Sequence, residues 1–260
     1  MTRIWAYCLT ILSILVMSAA VALPISMAAA PSANAAPVVL QNPLGAGYLV
    51  AGSNDSVTGV WISFKIPQIT CNAANPEGQV VNFLAGIDSY NTSDFEYVGV
   101  QEYCQPGPNS PEYYAIDSAQ YPLHIEGIIH VSLGDVISAA VTVSGGMFHY
   151  ELTDVTTGKS GTDTSPTSGT ALNAAECLVV YSGIPLSKFA PVSFGKASTH
   201  VANTCDARVN GAKHAIGKFG SPATVYDLVL VNPVTNDTLA RPTHLTDGGS
   251  SFTVTWKAAS

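Results

Sequence analysis

The chain has 260 residues, of which 47% are hydrophobic and 11% charged, and its formal net charge is −8. Apolar content at that level excludes intrinsic disorder, and the length suffices to bury one full domain core. A net-negative chain with no cluster of Lys and Arg lacks a phosphate-binding surface, so nucleic acid is not an expected partner. The scarcity of charge also limits self-repulsion when acid protonates the carboxylates, which suits an acidic habitat.

In chain order, residues 1–36 come first. Arg3 precedes an apolar run from Ile4 to Ala30, and small residues stand at Ala33 and Ala35. That pattern predicts a secretory signal peptide cut near Ala35 or Ala36, and hence an exported protein with no stable membrane association. An uncleaved anchor at the cell surface is the rival, because the run is long for a signal. Residues 37–260 then form a single domain. Within them, Pro37 to Ser53 reads as a first strand, with a short pro-segment as the alternative.

From Gln41 onward, short β-branched and aromatic runs alternate with Gly, Pro, Asn, Asp and Ser. Strands are predicted over 58–66, 80–87, 97–101, 125–132, 136–143, 147–154, 176–181, 224–231 and 251–256. In the last, Phe252, Val254 and Trp256 fall at every second position, so one face is buried and the other wetted. Asp154 to Lys159 reads as a hairpin tip, with Gly158 free to take positive φ. The stretch 162–170 reads as a loop, and 172–177 as the one place for a short helical turn. Many short strands at this spacing predict an all-β, antiparallel sandwich or barrel.

Beyond the leader, the cysteines are Cys71, Cys104, Cys177 and Cys205. An even number in an exported chain predicts two disulfides in one of three pairings, with buried free thiols as the alternative. Their spacing fits no zinc site, and the histidines at 124, 130, 149, 200, 214 and 244 are scattered, so no metal is expected.

The chain carries no nucleophile elbow, no zinc-peptidase helix motif, no phosphate loop and no dinucleotide glycine pattern. Asp117-Ser118 and Asp163-Thr164 lack the glycine of an aspartic-peptidase pair and read as turn residues. Two positions carry more. Gln101 closes a hydrophobic strand, and Glu176 opens another among Ala, Cys, Leu and Val. A carboxylate there is exposed to desolvation, which raises its pKa, unless it sits on an edge facing water.

Several strings in order resemble the eqolisin family of glutamic peptidases. They are Gly86-Ile87-Asp88 with Gln101 downstream, Ala175-Glu176-Cys177-Leu178-Val179, His130 to Asp135, the Leu152 to Gly158 hairpin and Pro185 to Phe194. The resemblance runs from about Ser56 to Trp256. It implies a two-sheet, antiparallel, lectin-like β-sandwich, and a monomeric, metal- and cofactor-independent acid endopeptidase acting on polypeptides. The catalytic pair it implies is Glu176, activating water and then protonating the leaving nitrogen, with Gln101 donating to the oxyanion. Asp88, Leu84, Tyr114 and Tyr121 stand where the family lines its cleft. Departures from the family pattern cluster there: Leu84 and Cys177 replace tryptophans, and the Asp88-to-Gln101 gap is longer. A sandwich that binds glycan or extended peptide without cutting it is the competing expectation. Strand alternation adds that Glu176 and Cys177 face opposite sides, placing the cysteines behind the site as staples.

Overall fold

A computed structural model describes residues 36–72, 78–88, 95–107, 110–118, 129–167, 169–180 and 186–257. The expected signal peptide up to residue 35, Tyr121 and most of the expected 125–132 strand lie outside the described residues. The first strands are β1 (Val38–Asn42), β2 (Gly45–Ala51), β3 (Val57–Lys65), β4 (Ile69–Thr70), β5 (Gln79–Asp88), β6 (Phe95–Cys104) and β7 (Glu112–Asp117). Next come β8 (Val136–Ser144), β9 (Met147–Asp154), β10 (Lys159–Pro166), β11 (Ala174–Val180), β12 (Lys188–Phe189) and β13 (Val192–Phe194). The last are β14 (Asp206–Val209), β15 (Ala212–Ala215), β16 (Thr224–Val231), β17 (Thr238–Pro242) and β18 (Phe252–Trp256). One short helix, α1 (Lys196–Thr199), interrupts them.

The expected all-β class is what the chain adopts. Hydrogen bonding runs β10-β9-β8-β3-β13-β18-β17-β16-β2-β11-β5-β6-β7, and among the named strands only β1, beside β16, pairs in parallel. This long curved sheet folds back on itself, so that β3 and β8 pack against β5, and β8 and β9 against β6. Alternation decides what fills the space between the layers. From β3 come Val60, Ile62 and Phe64, and from β5 come Val81, Phe83, Ala85 and Ile87. Phe64 sits with its ring centroid 5.6 Å from Phe83 and 5.6 Å from Phe194. Fully burying each such ring stabilises the fold by about 1.5–3 kcal/mol, so the two layers are held chiefly by this seam.

The one strand expected over 37–53 is two, β1 and β2, and the hairpin tip stands between β9 and β10 with Gly158 at φ 74°. Two further expectations fail. Residues 159–166 are a strand and not part of a loop, because their backbone pairs with β9 although their side chains are mostly exposed. Such an edge strand shows no apolar alternation for sequence to display. Residues 174–177 are likewise strand, not a helical turn, since β2 and β5 flank β11 on both sides.

Among the described residues, Cys71 and Cys104 are joined, whereas Cys177 and Cys205 are buried free thiols that touch each other. Only one of the two expected disulfides is formed. A bridge between Cys177 and Cys104 is excluded because Cys104 is already taken.

Candidate active site

The site lies on the outer face of the layer formed by β2, β11, β5 and β6. On β11, Ala175, Cys177 and Val179 enter the core, so Ala174, Glu176 and Leu178 face outward. On β5 the outward set is Asn82, Leu84, Gly86 and Asp88. On β6, Val98, Val100 and Cys104 enter the core, which turns Phe95, Tyr97, Gly99 and Gln101 outward. Glu176 and Cys177 thus occupy opposite faces, and the cysteines lie behind the site. Apolar side chains floor the surface around the acid: Leu49, Leu178 and Leu228 form a second cluster, and Leu84 is only 2% exposed.

Register fixes which of these residues meet. Glu176 stands opposite Gly86, and Ala174 opposite Asp88, so the two acids are diagonal neighbours on one face. Their carboxyl groups share a hydrogen bond. Glu176 is buried, and burial, followed by the charge of Asp88 and that hydrogen bond, drives its pKa well above the ordinary carboxylate value. Asp88 is pushed up to about 6 by burial, which its hydrogen bond with Glu176 partly offsets. Both carboxyls are thus held above the ordinary carboxylate range, and the pair keeps a proton between them where free carboxylates have lost theirs. Asp88 Oδ1 is buried and accepts no hydrogen bond among the described residues.

Gln101 does not join this pair. It stands opposite Asn82 on β5 and opposite Tyr114 on β7, and its Nε2 donates to Asn82 Oδ1 at 3.0 Å. Relative to the row through Glu176 and Gly86 it is four residues along β6 and two strands across. At about 3.4 Å per residue and 4.8 Å per strand, the Cα atoms are about 17 Å apart. The glutamate–glutamine pair expected from sequence is therefore not assembled. The residue level with Glu176 on β6 is Tyr97, opposite Gly86. It escaped sequence reading because strand register across the 88–95 connection cannot be read from residue types.

The expected cleft residues are brought together unevenly. Leu84 is two residues from Gly86 on the same face and packs over Gly99. Tyr114 lies beside Gln101, away from the acids, with its hydroxyl donating to Glu112. A residue that sequence reading missed is Phe95, whose ring edge takes the space that a side chain at Gly86 would fill. Among the described residues, no group of three or more His, Cys, Asp or Glu is arranged to hold a metal ion.

A two-layer β-sandwich carrying a proton-sharing acid pair on one outer face is the class of molecule that fold and site define. The model of the Peptidase A4 family matches residues 44–227, and the chain belongs to that family. The fold matches scytalido-glutamic peptidase bound to a transition-state analogue inhibitor, at 15% identity and a TM-score of 0.63. That match covers 83% of this chain and 99% of the other. It also matches SCP-B, an eqolisin-family peptidase in complex with the tripeptide Ala-Ile-His, at 16% identity and a TM-score of 0.60, with coverage of 83% and 99%. Aspergilloglutamic peptidase from Aspergillus niger aligns at 22% identity with a TM-score of 0.50, covering 69% of this chain and 99% of that one. No curated protein matches the sequence significantly.

Proposed function

We propose that the chain hydrolyses peptide bonds of extended polypeptides, with Glu176 and Asp88 working as one acid–base unit. The observation that carries this reading is the buried pair itself, two carboxyl groups sharing a proton with Asp88 Oδ1 left as a free acceptor. Asp88 takes a proton from water as the water attacks the scissile carbonyl, and Glu176 gives its proton to the departing nitrogen. Transfer across their hydrogen bond restores the starting state. Glu176 is thus the acid and not the base that the family resemblance implies, because its burial is deeper and it holds the proton. Family membership and the SCP-B complex with a tripeptide support polypeptides as substrates.

The working form needs one proton on the pair. Asp88 loses its own near pH 6, so the active window opens there and extends upward, above the acidic range expected from sequence. Export stays part of the proposal, supported by the leader pattern and by the Cys71–Cys104 bridge, a bond of oxidising compartments.

The test is digestion of denatured casein from pH 3 to 8 by wild type, Glu176→Gln and Asp88→Asn. Wild type should cleave, and each variant should lose at least about 100-fold while still unfolding cooperatively. Undiminished cleavage by Glu176→Gln would sink the assignment. A second reading, capture of an extended chain without cleavage, draws on the Phe95 ring lying over Gly86 beside a glutamate that is 6% exposed. Binding of casein by wild type with no turnover at any pH would favour it.

A further inference from the structure

An acid pair alone leaves one requirement of hydrolysis unmet. Negative charge builds on the carbonyl oxygen as water adds, and a fixed donor must face it. Gln101 stands too far along β6 to serve. The strand register identifies the side chain that does not: Glu176, Gly86 and Tyr97 form one row across β11, β5 and β6. Tyr97 shares the outward face with Phe95 and Gln101, while its neighbour Val98 enters the core. Its Cα lies two strand spacings from that of Glu176, about 10 Å, and over Gly86 between them lies the edge of the Phe95 ring.

The fold also pins Tyr97. Its N–H donates to Ser118 Oγ at 2.9 Å, and its carbonyl accepts the Ser118 N–H at 3.0 Å. Ser118 Oγ donates in turn to Glu96 Oε2 at 2.6 Å, which also accepts the Tyr150 hydroxyl at 2.6 Å. The Phe95 ring, 5.3 Å from that of Tyr97 and inclined by 31°, backs the phenol from the side of Gly86. A phenol held at both backbone atoms and along its ring has little freedom left to lose on meeting a substrate.

We propose that Tyr97 is a catalytic residue whose hydroxyl donates a hydrogen bond to the scissile carbonyl oxygen as it becomes an oxyanion. The proton stays on the phenol throughout, so the step forms and breaks no covalent bond at Tyr97. The proposal rests on the Glu176–Asp88 reading and adds the electrophilic side of the same site.

Tyr97→Phe removes the hydroxyl and keeps the ring. Its kcat should fall about 100-fold with KM within about threefold of wild type, as for the loss of one oxyanion donor. Tyr97→Gln, which offers an amide donor from the same Cα, should recover at least part of that loss relative to Tyr97→Phe. A binding measurement separates chemistry from folding. A peptide carrying a hydrated ketone at the scissile position should bind Tyr97→Phe about 100-fold more weakly than wild type, while the unmodified product peptide binds both equally. Wild-type kcat and equal ketone affinity in Tyr97→Phe would overturn the role of Tyr97 and leave the acid pair standing. Wild type that cleaves no peptide, or Glu176→Gln that cleaves normally, would overturn both.

Discussion

Glu102 offers the sharpest test of how this core responds to pH. It lies on the core-facing side of β6, 0% exposed, and neither carboxyl oxygen has a hydrogen-bond partner among the described residues. Burial pushes its pKa from 4.5 up to about 9. The folded value is above the unfolded one, so the folded protein binds the extra proton. Stability is complete below about pH 4.5 and declines as pH rises towards 9, by about 1.4 kcal/mol per pH unit. At pH 7 the accumulated loss is about 3 kcal/mol, a large share of the 5–15 kcal/mol typical of a domain. Glu102→Gln keeps the shape and cannot ionise. It should match wild type at pH 4 and exceed it by about 3 kcal/mol at pH 7. Guanidinium unfolding followed by tryptophan fluorescence at each pH from 4 to 8 measures the difference, and subtraction cancels the contribution of the Glu176–Asp88 pair. An advantage that is the same at pH 4 and pH 7 would refute the reasoning, since a neutral packing effect carries no pH slope.

The remaining predictions concern the site and the staple. The kcat/KM of wild type should fall about tenfold per unit as pH drops below about 6, because protonating Asp88 removes the base; a pH–rate profile flat from 4 to 7 would contradict its role. Gln101→Ala should leave kcat within about threefold of wild type, since its amide is engaged with Asn82 and its Cα lies about 17 Å from that of Glu176; a hundredfold loss would mean that the register in solution differs. Replacing both Cys71 and Cys104 by serine should lower stability by about 3–4 kcal/mol, the effect of opening a loop of 33 residues, read as a shift of the denaturation midpoint.

Alternation made much of this molecule legible before its structure was known. The run Phe252 to Trp256 displays its apolar and polar faces directly, and hydrophobic cores form wherever such apolar faces can be paired. The same periodicity placed Glu176 and Cys177 on opposite sides of β11. Strand β10 was missed because an exposed edge strand needs no apolar residues and is held by backbone pairing alone. Glu102 was missed for a related reason. Its neighbours Val100 and Cys104 mark the inward face, but nothing in the sequence announces that an ionisable group on that face lacks a partner.

What the sequence determined by itself, then, was the all-β class, the long apolar strands, the face that alternating side chains would take, and the isolation of Glu176 among apolar neighbours. Those are local properties, set by residue spacing. The tertiary structure alone decided which residues on a shared face stand side by side. The register of β6 on β5 sends Gln101 to Asn82 and brings Tyr97 level with Glu176, and that of β11 on β5 makes Asp88 the glutamate's partner. Register is a relation between strands: hydrophobic alternation forbids a slip by one residue, which would turn the core face outward, but not a slip by two, which keeps every face.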